Sequence, residues 1–362
     1  MGENTEKLKE RWHYIDLMEF IGIFFVLMYH STTYSYFSIG DTSKIAFFRY
    51  YLRTILSTCV PLFFFANGYL LLNRSFNLKR HIVKMIKIIF LTVLWAMIVV
   101  ILSHENLSLR QFISYVWNKE KGGINYLWYM GALICIYVFF PLLKIAFDNN
   151  KKVFIYFTVI SAILTLGNTF IGYSISIVLK LLKIHNGLIN TNWFNMFNPF
   201  RGIYGFAFVY FCVGGLSHQL KGKIEKVNIK KRVALSVLTI LLSSLGLFIT
   251  AILLSNITGQ LWEIVWYGYD TIFTFVNTIA IFVLCLSYKG GSKFIRLISV
   301  NTLGIYFIHI IFRNLSRQYV VQIPIFTTFI GCAFYAFIIM LVSLIVTKIL
   351  LKIPILKELV RI

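Results

Sequence analysis

Residues 88–104 read IIFLTVLWAMIVVILSH, without one Asp, Glu, Lys or Arg, and the stretch before them, 79–87, reads KRHIVKMIK. A bilayer core is crossed by about 20 consecutive apolar residues in a helix. A helix packed on a soluble core keeps a polar face on every turn, and this run has none. Bases crowd one flank only, the pattern of a spanning helix whose basic end stays in the cytoplasm.

Working outward, comparable stretches lie at 14–34, 50–73, 126–147, 153–172, 200–220, 233–254, 268–288, 301–320 and 324–350, which makes ten with 88–104. Lipid offers no hydrogen bonds, so each stretch must satisfy its own amides and is expected to be helical. The sequence therefore predicts an all-α polytopic transmembrane helical bundle of about ten spans. With an even number of spans, the N- and C-termini share one side. Placing the N-terminus in the cytoplasm puts 24 of the 35 bases on that side, among them Lys7, Arg11, Arg74, Arg80, Lys151, Lys223, Lys293, Lys352 and Arg361. The whole of 1–362 is read as a single membrane domain, with a cytoplasmic segment over 1–13 and no soluble extra domain.

Composition agrees with that reading. Of 362 residues, 59% are hydrophobic and 13% charged, too little polar surface to cover a water-soluble fold. The net charge of +22 would suggest nucleic acid in a soluble protein, but here the bases form short runs between apolar segments. They serve topology and acidic lipid headgroups, and nucleic acid is excluded as a partner. Cys59, Cys135, Cys212, Cys285 and Cys332 all fall within apolar segments, without metal-ligand spacing, so no metal is expected.

Polar groups inside spans are costly and commonly mark sites. Glu19 and His30 are eleven apart, which on a helix separates them by about 20° in direction and about 16 Å in height. They share one stripe. A histidine at a helix end also serves as a plain hydrogen-bonded anchor, and Glu19 lies near enough to the end to be solvated. The second span carries Asn67 beside Gly68, a polar handle next to a residue that lets a second helix approach closely. After it come Arg80, Lys84 and Lys87, spaced to aim cations at an anion; the same spacing serves the inside-positive signal. Trp128 and Tyr129 open the fourth span, where aromatics commonly form an interfacial belt, and His309 lies deeper in the ninth than a belt residue would, as a hydrogen-bonded structural histidine or a catalytic one.

In order along the chain, five segments resemble the membrane-bound acyltransferase family 3. They are Tyr14-Ile15-Asp16 through His30; Pro61 to Leu70, similar to the family's PLFFxxSGYL; Lys79-Arg80 with Lys84; Leu127-Trp128-Tyr129 before Pro141; and Ser299 through Tyr306 to His309. Two positions depart from the family pattern. Glu19 stands where Arg or Lys is usual, with ten residues between it and the histidine, and Asn67 stands for a serine. A carboxylate at 19 pairs with a base such as Lys84, changes how the donor is handled, or reduces activity.

The resemblance implies an O-acyltransferase of the cell membrane. It would move an acyl group, acetyl foremost, from cytosolic acyl-CoA to a hydroxyl of an extracytoplasmic polysaccharide or lipid-linked glycan. Acyl-CoA (acetyl-CoA) is then a co-substrate, with no bound cofactor, and membrane lipids are partners; a homo-oligomer is compatible with such a bundle. His30 is the expected general base or covalent acyl carrier, with Glu19 beside it in the catalytic set. Arg80, Lys84 and Lys87 are the expected donor-binding residues, while Asn67, Trp128, Tyr129 and His309 shape the acyl path or support an oxyanion. A transporter of a glycan or lipid-linked intermediate, or an inactive scaffold, is the alternative expectation.

Overall fold

The computed structural model describes residues 12–31, 43–103, 107–117, 123–189, 198 and 204–361. Lys7, Lys9 and Arg11, the end of the 14–34 stretch and the start of 200–220 lie outside the described residues. Those described are helical with no strand among them. The helices are α1 (His13–Ser31), α2 (Lys44–Leu56), α3 (Cys59–Leu72), α4 (Leu78–Ser103), α5 (Leu109–Trp117), α6 (Trp128–Asn149), α7 (Lys151–Ala162), α8 (Asn168–Leu181), α9 (Gly205–Glu225), α10 (Ile229–Thr258), α11 (Ile272–Cys285), α12 (Lys293–Ser299), α13 (Thr302–Val320) and α14 (Phe329–Lys352).

Over the described residues each predicted stretch falls on one helix or a joined pair. Among the described residues seven helical units are long and apolar enough to cross a membrane, and eight if the bent pair α12–α13 is one span. The difference from ten has physical causes. Helix α11 is apolar but short, at 14 residues, and α9 carries His218, Lys221, Lys223 and Glu225 in its second half. The stretch at 50–73 is α2 and α3 joined through Ser57 and Thr58, whose hydroxyls bond back to the carbonyls of Thr54 and Ile55. The stretch at 153–172 continues to Leu181, because a π-helical turn at Ile163–Gly167 links α7 to α8 without ending the rod.

Burial separates inner from outer helices. In α2–α3, 72% of the most apolar window is buried, whereas in α10 and in α7–α8 the share is 28%. The outer rods present rows of exposed Leu, Ile and Phe such as Phe90, Leu142, Leu242 and Phe334, as lipid contact requires.

At the centre, α3 packs on α9 with almost no space between the backbones. A Cβ on Gly68 would lie 1.8 Å from the carbonyl oxygen of Phe211, and one on Gly214 would lie 2.1 Å from that of Phe65. The close approach expected of Gly68 is therefore real, and α9 is the helix that makes it. Polar links tie α3 to both α1 and α9 near its C-terminal end. Tyr14 and Tyr69 share a 2.7 Å hydrogen bond between α1 and α3, and Asn73 donates to the Gly215 carbonyl at 3.0 Å.

A methyl group at Gly68 has no room, so Gly68→Ala is expected to cost about 1–3 kcal/mol, the usual range for overpacking. Gly222, at the exposed end of α9, has nothing within 4 Å of its would-be Cβ, and Gly222→Ala should leave stability unchanged or slightly raised. Thermal unfolding of the two purified variants in one detergent checks the contrast.

Candidate active site

A cavity of about 1050 Å³ opens among α1, α3, α4, α6, α12, α13 and α14. At one end its wall carries Trp12, Arg74, Lys84, Lys348 and Arg361; at the other it closes on Val26, Phe63, Tyr129 and Tyr306. From Asp16 to Val26 the rise of α1 makes it about 15 Å deep. Residues 12 and 361 line the same cavity, so the first and last described residues of the chain both contribute to its wall.

Local sequence explains each wall. Helix α1 begins at His13, which sets Asp16 and Glu19 one turn apart on the cavity side. Helix α12 is only seven residues long, and the chain turns through 75° before α13. Asn301, at the turn, donates to the Leu297 carbonyl at 2.7 Å. The break aims Ser299 at α1, where its hydroxyl meets Asp16 Oδ1 at 2.8 Å and also reaches Glu19 Oε2. A single hydroxyl thus ties two carboxylates of α1 to the broken helix.

Asn67 and Tyr129 face one another across the cavity. The Asn67 amide donates to the Phe63 carbonyl at 2.9 Å and to the Tyr129 hydroxyl at 3.3 Å. Trp128, the next residue along, turns away: it stacks on Tyr204 at 5.7 Å and meets Trp266 edge-on at 5.0 Å. It braces the aromatic layer and does not line the cavity.

Of the three bases expected to hold a donor, Lys84 lines the cavity, its ammonium 5.6 Å from the centre of the Tyr137 ring. Arg80 is exposed outside the lining, and Lys87 is engaged by Glu358. The other cations of the wall are Arg74, Lys348 and Arg361. Glu19 and Lys84 share the cavity, but Glu19 reaches Ser299 and Lys84 stands over an aromatic ring. Lys348 and Arg361 carried only topological meaning in the sequence, since no local pattern tells that the end of α14 returns to α1 and α4.

That return is a short segment. After α14 the chain crosses α4, where the Trp95 indole donates to the Leu359 carbonyl at 2.9 Å, and Val360 and Arg361 then enter the cavity wall.

His30 and His309 lie about one helical turn beyond the closed end, above Val26 and Tyr306 on their own helices. Neither lines the cavity. Their rings are 5.2 Å apart, and Tyr126 meets His309 edge-on at 5.7 Å. Arg313 donates to the His30 carbonyl at 3.2 Å, fixing α13 against the end of α1. Two residues eleven positions apart on α1 therefore serve different places, Glu19 in the cavity and His30 in a histidine pair past its inner end.

The family model described as "Acyltransferase domain", that of acyltransferase family 3, matches residues 12–348. The chain belongs to this family and is a multi-pass membrane acyltransferase. The curated proteins and the solved structures searched contain no match.

A hydrogen bond from Lys87, together with its charge, holds the carboxyl of Glu358 below the usual glutamate range. A depressed carboxyl adds stability above its unfolded value and loses it as pH falls through the folded one. The segment 353–361 is therefore expected to stay docked at neutral pH and to loosen as pH drops below the ordinary glutamate value. Faster hydrogen exchange of its amides at acid pH than intrinsic rates predict, abolished by Glu358→Gln, checks this.

Proposed function

We propose that this family member moves an acyl group, acetyl foremost, from acyl-CoA to a hydroxyl of a cell-envelope polysaccharide or lipid-linked glycan, in the cell membrane. The observation that carries the reading is the cation-rimmed cavity whose inner end stops beneath two neighbouring imidazoles. In this scheme the basic end faces the cytoplasm, both termini lie there, and α9 and α11 complete a set of about ten spans together with the longer helices.

The donor's phosphates rest against Arg74, Lys84, Lys348 and Arg361, with Arg80 and Lys87 raising the local positive potential from outside the wall. Phosphate suits guanidinium and ammonium groups placed where water still reaches them. The pantetheine arm runs inward past Asn67 and Tyr129, whose amide and hydroxyl pair with one another until the arm's polar groups replace them. The acyl carbonyl passes Tyr306 to the histidine layer, and the acceptor hydroxyl enters there from the opposite side. An imidazole at this level takes the acceptor's proton and returns it to the leaving thiolate, with His30 in contact with the reacting groups.

Membranes holding the protein, incubated with acetyl-labelled acetyl-CoA, are expected to place the label on an envelope glycan. His30→Ala should lower that transfer about 10²- to 10⁴-fold at equal expression. Movement of glycan with no acetyl-CoA consumed would instead mark a transporter.

Removing cations from the rim acts on binding. Arg74→Ala with Lys84→Ala is expected to raise the KM for acetyl-CoA about tenfold or more, as loss of two phosphate contacts should. Arg80→Ala alone should change it much less. Steady-state kinetics on the purified variants distinguish the two positions.

A further inference from the structure

His309 is fully buried, and one of its ring nitrogens is already committed. Its Nδ1 lies 2.6 Å from the carbonyl oxygen of Tyr306. A carbonyl can only accept, so Nδ1 carries the hydrogen. In the neutral ring Nε2 then holds the lone pair and has no hydrogen to give. Among the described residues Nε2 has no hydrogen-bond partner, although it is shut off from solvent. Buried acceptors are nearly always satisfied, so an orphan of this kind calls for a donor that arrives with a ligand.

Its surroundings say which ligand. Tyr306, which orients the ring through its carbonyl, also lines the inner end of the cavity. The ring of His30 lies alongside at 5.2 Å, and Tyr126 covers an edge. An oxyanion needs donors, and Nε2 offers a lone pair. The geometry assigns to His309 Nε2 the task of general base on the acceptor hydroxyl, with Tyr306 as the positioning residue that fixes its tautomer. This inference rests on the acyl-transfer reading above and turns His309 from an oxyanion donor into a proton acceptor.

The step balances without a further reagent. The acceptor's O–H proton passes to Nε2 as its oxygen bonds to the thioester carbonyl carbon. When the tetrahedral adduct collapses, the C–S bond breaks and the Nε2 proton goes to the thiolate, leaving an ester, a free thiol and a neutral His309. Where the acyl group has first moved to His30, the bond broken is C–N and the same proton returns to the His30 nitrogen. The Nδ1 hydrogen stays on the ring, donated to the Tyr306 carbonyl throughout, and orients the base as a backbone group orients many catalytic imidazoles.

The test is His309→Asn, because an asparagine amide can still donate from the δ position to the Tyr306 carbonyl but has no basic nitrogen beyond it. Expected is a fall in kcat of about 10²-fold or more with the KM for acetyl-CoA unchanged, at an unaltered melting temperature in detergent. A variant within tenfold of the wild-type kcat overturns the assignment while leaving the acyl-transfer reading intact. Wild-type protein that consumes no acetyl-CoA overturns that reading and this step with it. The tautomer is open to a second measurement that needs no folded variant: in ¹⁵N-histidine-labelled wild-type protein, the His309 ring should show a protonated Nδ1 and an unprotonated Nε2. A protonated Nε2 would sink the proposal.

Discussion

The contact between α3 and α9 is the constraint on which the other placements depend. Within lipid no hydrophobic gain draws one helix to another, so association rests on van der Waals packing and on polar links between helices. Gly68 and Gly214 supply the packing by letting each backbone lie against the other. Asn67, directly before Gly68, is then held at the inner part of the cavity, and Asn73, five residues after Gly68, reaches Gly215. A bulkier residue at 68 would push α3 outward and take Asn67 away from Tyr129. One small residue thus sets the distance across which the site is built.

The second device is the break between α12 and α13. A straight span would carry Ser299 along the axis of α13 and away from α1. The 75° turn instead brings it to Asp16 and Glu19. This contact also gives physical sense to the departure at position 19. A base there would add to the positive rim; a carboxylate extends a polar network already begun by Asp16 and bonded to a hydroxyl. The cavity is consequently graded, with cations at its mouth, carboxylates and a serine in its wall, and tyrosines at its end. The donor proposed above, with phosphates at one end and a neutral thioester at the other, would follow that gradient.

Much of this architecture was legible in the chain. Over the described residues each apolar stretch read from the sequence falls largely on helix, and the glycine beside Asn67 proved to be a site of close approach. What escaped was geometry that composition does not encode. The 50–73 stretch contains a turn, signalled only by a Ser-Thr pair that bonds to its own backbone. The rim was read from the bases that follow the second span, yet Lys87 is taken by Glu358, and the wall recruits Lys348 and Arg361 from the far end of the chain. Such a return contact depends on Trp95 and Leu359 meeting across more than 260 residues. No local period reports it.

The first helix shows why a shared stripe is not a shared site. Glu19 and His30 lie on one face by periodicity, and the bundle does turn that face inward. Between them Val26 closes the cavity with Tyr129 and Tyr306, so the stripe passes through a floor of aromatic and aliphatic side chains. Such a floor has a chemical use. A thioester in an acyl transferase must be kept from water, and water enters the cavity wherever its charged mouth is open. An apolar layer beneath the imidazoles admits an acyl chain by displacing side-chain contacts of similar character, whereas a water molecule would leave its hydrogen bonds behind. In the proposed reaction, the same layer that separates the two polar residues of α1 would therefore favour transfer to an alcohol over hydrolysis.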